Sequence, residues 1–171
     1  MADLDLLHGK RVLVVDDEPD ILDTVVELLD MCQVTAAGTF EEARNLLGVD
    51  KFDIVVLDIM GVDGYSLLKT CTRLGIPTVM LTAHAFTPDN LIRSVEEGAM
   101  SYIPKEELPR LADFLNSVLQ ARREGRDPWD DWQEKLSTSY FERRWGAALR
   151  GKGPDFWNRF RAGLAARKSD K

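Results

Sequence analysis

The sequence predicts an α/β chain: a doubly wound, five-stranded parallel sheet of order 2-1-3-4-5 with a C-terminal α-helical extension. Three observations predict it. Short unbroken aliphatic runs, such as Val12-Leu13-Val14-Val15 and Ile54-Val55-Val56-Leu57, read as strands buried on both faces of a parallel sheet. Segments with apolar residues at helical spacing separate such runs from the first strand to residue 119. The strand ends also carry chemistry, with Asp16 and Asp17 after the first run and Asp58 closing the other. Open α/β sheets place their sites beyond the carboxyl ends of the strands, at the point where strand order reverses.

Strand-like runs fall at 11–16, 33–37, 53–58, 76–82 and 100–103. Ile21, Leu22, Val25, Val26, Leu28 and Leu29 repeat at three and four, as on a core-facing helix. Thr39 with Glu42 three residues on has the pattern of a capping box for a helix over Glu41 to Leu47. Asp63 opens a third helix, which Gly75-Ile76-Pro77 closes. Thr87-Pro88-Asp89 reads as a cap with proline in the first turn, and a fifth helix is expected from Leu108 to Leu119. Repeated strand-then-helix units imply right-handed crossovers with helices on both faces. Order 2-1-3-4-5 sets strands 1 and 3 side by side, which brings Asp16, Asp17 and Asp58 into one crevice.

Three carboxylates together are unfavourable unless a hard divalent cation binds or a proton stays. Two later strand ends add complementary groups: Val79-Met80-Leu81 stops at Thr82, beside small Ala83, and Tyr102-Ile103-Pro104 leads to Lys105. Oxygen ligands for magnesium, a hydroxyl and an ammonium are what a phosphoryl group needs.

Composition bounds the reading. At 171 residues, 44% hydrophobic and 30% charged, the chain holds either one ordinary domain plus an appendage or one large domain, with a core. No apolar stretch approaches the roughly 20 residues of a membrane span, and residues 1–10 lack the order of a signal peptide. A cytoplasmic location is expected. Cys32 and Cys71 read as reduced thiols; these and His8 and His84 are too isolated for a metal site. The net charge of −7 hides a split, −12 over residues 1–119 against +5 over 120–171, and all four tryptophans lie in the second part. Charge and aromatic content together predict two modules, 9–123 and 124–171.

The stretches VLVVDDEPDIL (12–22), DIVVLDIM (53–60), DGYSLL (63–68), VMLTAHA (79–85) and YIPKEEL (102–108) occur in that order. Over residues 10–123 the chain resembles the receiver domain of two-component response regulators, of flavodoxin-like fold. The resemblance implies that Asp58 is the phosphoacceptor. Mg²⁺ would be held by Asp17 and Asp58 directly, by Asp16 through water and by the backbone carbonyl of Met60. Thr82 and Lys105 would meet the phosphoryl group, Ala83 would leave it room, and Tyr102 would be a rotamer switch linked to Thr82. The implied partners are a sensor histidine kinase or phosphotransfer protein, and a homodimer through the helix 4–strand 5–helix 5 face or the tail. Two positions depart from the family pattern. The loop Ile59–Asp63 is short, with Gly61 available for a tight turn. Pro104 precedes Lys105 where a proline normally follows the lysine, so a trans Ile103–Pro104 bond and a different angle for the ammonium are expected.

The tail shows Trp129, Trp132, Leu136, Tyr140 and Trp145 near helical spacing, then a breaker at 151–154, then Phe156, Trp157, Phe160 and Leu164. It reads as a helical hairpin that either packs on the acidic receiver or presents a protein-contact surface. Nucleic acid is a lesser reading, because +5 over 52 residues is modest. Three functions compete with the phosphorylation-controlled regulator. One is a DNA-binding transcriptional regulator using the basic tail. Another is a magnesium phosphatase, which would want a second acid at Met60. The third is a constitutive scaffold, against which the intact Asp16, Asp17, Asp58, Thr82 and Lys105 argue.

Overall fold

The computed structural model describes residues 6–83, 87–135 and 153–169, without the side chains of 133, 153–157 and 167–169. Five strands, β1 (Arg11–Val15), β2 (Gln33–Ala37), β3 (Ile54–Asp58), β4 (Thr78–Thr82) and β5 (Ser101–Pro104), form one sheet of order 2-1-3-4-5. All its pairings are parallel. Every residue of β3 and β4 is buried, as is all of β1 beyond Arg11, which is why these runs carry no polar alternation.

Helices α1 (Pro19–Leu28), α2 (Phe40–Val49), α3 (Gly64–Leu74) and α4 (Pro88–Glu96) fill the crossovers. Their ends follow the expected local chemistry. Thr39 Oγ1 accepts from Glu42 N at 3.1 Å, while Glu42 Oε1 reaches back to Gly38 N at 2.8 Å, one residue before the cap. Thr87 caps α4 through Asn90 N, and Gly75 ends α3 with a left-handed φ of 75°. Cys71 is buried and Cys32 half-buried, and neither is in a disulfide.

The fifth helix departs from expectation. Lys105–Arg110 is a 3-10 helix, and α5 runs over Leu111–Glu124 rather than from Leu108 to Leu119. Pro109 accounts for the late start: its ring disfavours the α region for the residue before it, so Leu108 does not open an α-helix. Gly125, at φ 73°, stops α5.

Beyond it lie α6 (Pro128–Lys135) and α7 (Gly153–Ser169). They do not pair only with each other: they dock on the receiver. Trp129, Trp132 and Phe160 are fully buried and belong to the same core as the sheet. The Trp129 ring meets Trp132 edge-on at 5.0 Å and Phe160 at 5.7 Å, geometries that favour the ring quadrupoles. Each indole N–H donates to a backbone carbonyl, Trp129 to Ala99 at 3.0 Å and Trp132 to Tyr102 at 2.7 Å. Ser117 on α5 bonds Asp131 on α6 at 3.2 Å. Helix α7 lies along α4, where a Cβ added at Gly163 would stand 3.3 Å from Val95 Cγ1. The α4–β5–α5 face expected to serve a homodimer is therefore covered by this chain's own α6 and α7. Of the other apolar tail residues, Leu136, Tyr140 and Trp145 lie outside the described residues, as do the side chains of Phe156 and Trp157. No described helix is long and apolar enough to cross a membrane.

Burying rings of this size is worth roughly 1.5–3 kcal/mol each, and truncating one leaves a cavity besides. Trp132→Ala should lower unfolding stability by about 3–5 kcal/mol, read as a lower urea midpoint of the full chain. An unchanged midpoint would show that α6 is not part of the cooperative fold.

Candidate functional site

Strands β1 and β3 are neighbours, with Val15 beside Leu57, so the acids that follow them converge. Asp16, Asp17 and Asp58 each place a carboxylate oxygen within 4.8 Å of the others. Asp16 and Asp58 are buried and Asp17 is exposed. Asp16 Oδ1 accepts from Glu18 N at 2.9 Å, a local turn that fixes its direction before α1 begins.

Lys105 supplies the countercharge. Its Nζ lies 2.9 Å from Asp16 Oδ2, 3.6 Å from Asp58 Oδ1 and 3.6 Å from Glu18 Oε2. All peptide bonds among the described residues are trans, and with this Pro-Lys order the ammonium still reaches the cluster. Burial disfavours the charge on Lys105, but its bond to Asp16 and the field of Asp58 and the other acids more than offset this, raising its pKa. Asp58 is pushed up to about 7, first by burial and then by Asp16, with Lys105 only partly opposing. Asp16 is raised by burial against the pull of Lys105. Two buried carboxyls that resist ionisation are the electrostatic signature of a site that gains from a further cation.

The short loop after Asp58 is compact. Ile59 and Val62 are buried while Met60 is 62% exposed, and Gly64 N bonds the Ile59 carbonyl at 3.2 Å. Gly61 does supply the turn, at φ 84°. It also makes room for the acid opposite, since a Cβ there would fall 2.4 Å from Asp17 Oδ2. Only glycine leaves Asp17 its place in the crevice.

Thr82, one position past Leu81 (the register partner of Asp58), is 1% exposed, and Ala83 is half-buried beside it. Tyr102 is fully buried in β5, and its carbonyl holds Trp132. His84 lies outside the described residues. Sequence reasoning missed Glu18, whose adjacency to Asp16-Asp17 was its signal. It also missed Arg110, which bonds the Lys135 carbonyl at 3.2 Å and left no signal in the sequence.

The family model of the response regulator receiver domain matches residues 12–116. The two-component response regulator ARR12 of Arabidopsis thaliana is 33% identical over 122 residues, covering 67% of this chain and 20% of that protein. The probable transcriptional regulator ycf27 of Guillardia theta is 37% identical over 125 residues, 69% of this chain and 48% of its own length. The chain thus spans less than half of these relatives. Among solved structures, a CheY-like receiver domain protein from Methanospirillum hungatei JF-1 superposes with a TM-score of 0.61 at 28% identity, covering 68% of this chain and 98% of that one. A BeF3-activated DrrB receiver domain gives 0.59 at 27%, covering 66% and 98%. The family match stops at residue 116, so α6 and α7 lie beyond it.

The raised pKa of Asp58 carries a sign for stability. Between the unfolded value near 4 and the folded value of about 7, the native state holds a proton that the unfolded chain releases. Stability in divalent-free buffer should therefore fall as pH rises from about 4 to about 7 and level off above. Asp58→Asn should reduce that slope and raise the melting temperature at pH 8. A gain of 1 kcal/mol would read as about 2–4 °C at this chain length. A melting temperature at pH 8 equal to or below wild type would refute the burial argument.

Proposed function

The chain belongs to the response regulator receiver family of two-component signalling, and from that premise we propose that it is a phosphorylation-controlled regulator with Asp58 as phosphoacceptor. The observation that carries this reading is the convergence on Asp58 of two further carboxylates and the Lys105 ammonium 3.6 Å away.

In the proposed reaction an Asp58 carboxylate oxygen attacks phosphorus on a phosphohistidine or a small acyl phosphate. The new O–P bond forms in line as the donor's N–P or O–P bond breaks, and the electron pair stays with the donor. The donor set fits Mg²⁺, since hard carboxylate oxygens meet in a crevice whose acids resist ionising without more positive charge. Asp17 and Asp58 would hold the ion directly, Asp16 through water and Met60 by its backbone carbonyl. The ion would neutralise charge on the equatorial phosphoryl oxygens. Thr82 would offer its hydroxyl to one of these oxygens and Lys105 its ammonium to another. Ala83 leaves space at the mouth, and Tyr102 would follow Thr82 as a rotamer switch.

A histidine kinase or phosphotransfer protein is the proposed donor, and the output is a conformational change read by a protein partner. Against a phosphatase stands Met60, which leaves no acid two residues after Asp58. Against DNA binding through the tail stands the burial of Trp129, Trp132 and Phe160 on the receiver itself. A cytoplasmic setting would supply both kinase and magnesium.

Incubation with acetyl phosphate and Mg²⁺ should add one acid-stable, base-labile phosphoryl group, found by mass spectrometry, that Asp58→Asn abolishes. Labelling that persists in that variant would reject the assignment. Mg²⁺ should also raise the melting temperature of the wild type, since it binds the folded cluster alone. Asp17→Asn should weaken that response more than Asp16→Asn. Equal or reversed effects would overturn the ligand ranking.

A further inference from the structure

Helix α6 grips one short segment of the receiver at three points. Trp129 holds the carbonyl of Ala99, Trp132 holds that of Tyr102, and Arg110 holds the carbonyl of Lys135 at the end of α6. Lys105 lies between the second and third points and opens the 3-10 helix that ends in Arg110. The first two bonds are to main-chain atoms of the receiver segment, so they hold the path of its backbone. Both indoles are fully buried, and a donor pulled from its carbonyl there would be left unsatisfied, which makes the docked arrangement resist small shifts.

We propose that α6 is a cis-acting restraint on residues 99–110, so that docking of the tail and occupation of Asp58 by a phosphoryl group oppose one another. The proposal rests on the reading that Asp58 accepts the phosphoryl group. The opposition follows from where Lys105 is held. Its ammonium is closest to Asp16, at 2.9 Å, and only then to Asp58, at 3.6 Å. A phosphoryl group on Asp58 replaces one carboxylate charge with a denser anion farther out in the crevice, and Lys105 must leave Asp16 to pair with it. Because Lys105 opens the 3-10 helix, that pull falls on the backbone of the segment α6 holds. Both Tyr102, three residues before, and Arg110, five after, are tied to α6. Displacement of this segment strains all three ties, and by reciprocity loss of the ties favours the displaced segment. The weakened tail uncovers the α4–β5–α5 face together with the aromatic side of α6.

Beryllofluoride with Mg²⁺ provides an equilibrium probe of Asp58, and the four tryptophans, all beyond residue 125, make intrinsic fluorescence a reporter of the tail. In the full chain, beryllofluoride should speed hydrogen exchange of the α6 amides and shift tryptophan emission to the red. Trp132→Phe, which keeps an aromatic ring but removes the donor, should bind beryllofluoride about two- to tenfold more tightly, the range one net hydrogen bond commands. Trp129→Phe should act in the same direction. Binding that leaves α6 exchange unchanged, or that slows it, overturns the restraint while the phosphoacceptor reading stands. Equal affinity in both tryptophan variants does the same. Beryllofluoride binding that survives Asp58→Asn, or no binding at all, removes the phosphoacceptor reading and the restraint with it.

Discussion

The repulsion among Asp16, Asp17 and Asp58 is the constraint around which the carboxyl edge of the sheet is arranged. Placing three acids in one crevice costs free energy that the fold offsets in part with a single ammonium, Lys105, drawn 2.9 Å from Asp16. The offset is incomplete: burial first, and Asp16 second, hold the pKa of Asp58 up against the pull of Lys105. The features around the cluster follow from it. Gly61 is a glycine so that Asp17 has somewhere to stand. Asp16 takes a backbone N–H from Glu18 to steady a charge it cannot solvate. The segment after β5 tightens into a 3-10 helix just as it delivers the lysine.

Much of this was legible in the chain. Aliphatic runs ending in acids are visible as such, because a strand buried on both faces tolerates nothing polar until it leaves the sheet. Five strand–helix repeats imply right-handed crossovers, order 2-1-3-4-5 is one of the common doubly wound orders, and the meeting of Asp16, Asp17 and Asp58 follows from that order. Caps at Thr39 and Thr87 are local chemistry and were equally readable. The start of α5 was misplaced because Leu108 and Leu111 fit a helical period, while the effect of Pro109 on the turn before it is one of geometry rather than pattern.

The tail was legible in composition but not in position. Tryptophans at spacing three announce an apolar helix face without saying what covers it. The answer lies in contacts across some thirty residues, Trp129 with Ala99 and Trp132 with Tyr102, and no periodicity encodes a bond from an indole to a distant carbonyl. Arg110 was silent for the same reason. A salt link to a neighbouring acid has a sequence signature, whereas a bond to the main chain of another helix has none.

Family resemblance and folding unit need not coincide in this chain. The matched region ends at residue 116, within α5, yet the buried core continues through Trp129, Trp132, Phe160 and Leu164. A receiver excised at its boundary of resemblance would carry a wetted apolar flank beside β5, the terminal strand of the sheet, where edges invite pairing with other molecules. Self-association of such a fragment would report the severed surface, not a property of the intact molecule. What inheritance delimits as a module is here only the larger share of what must fold together.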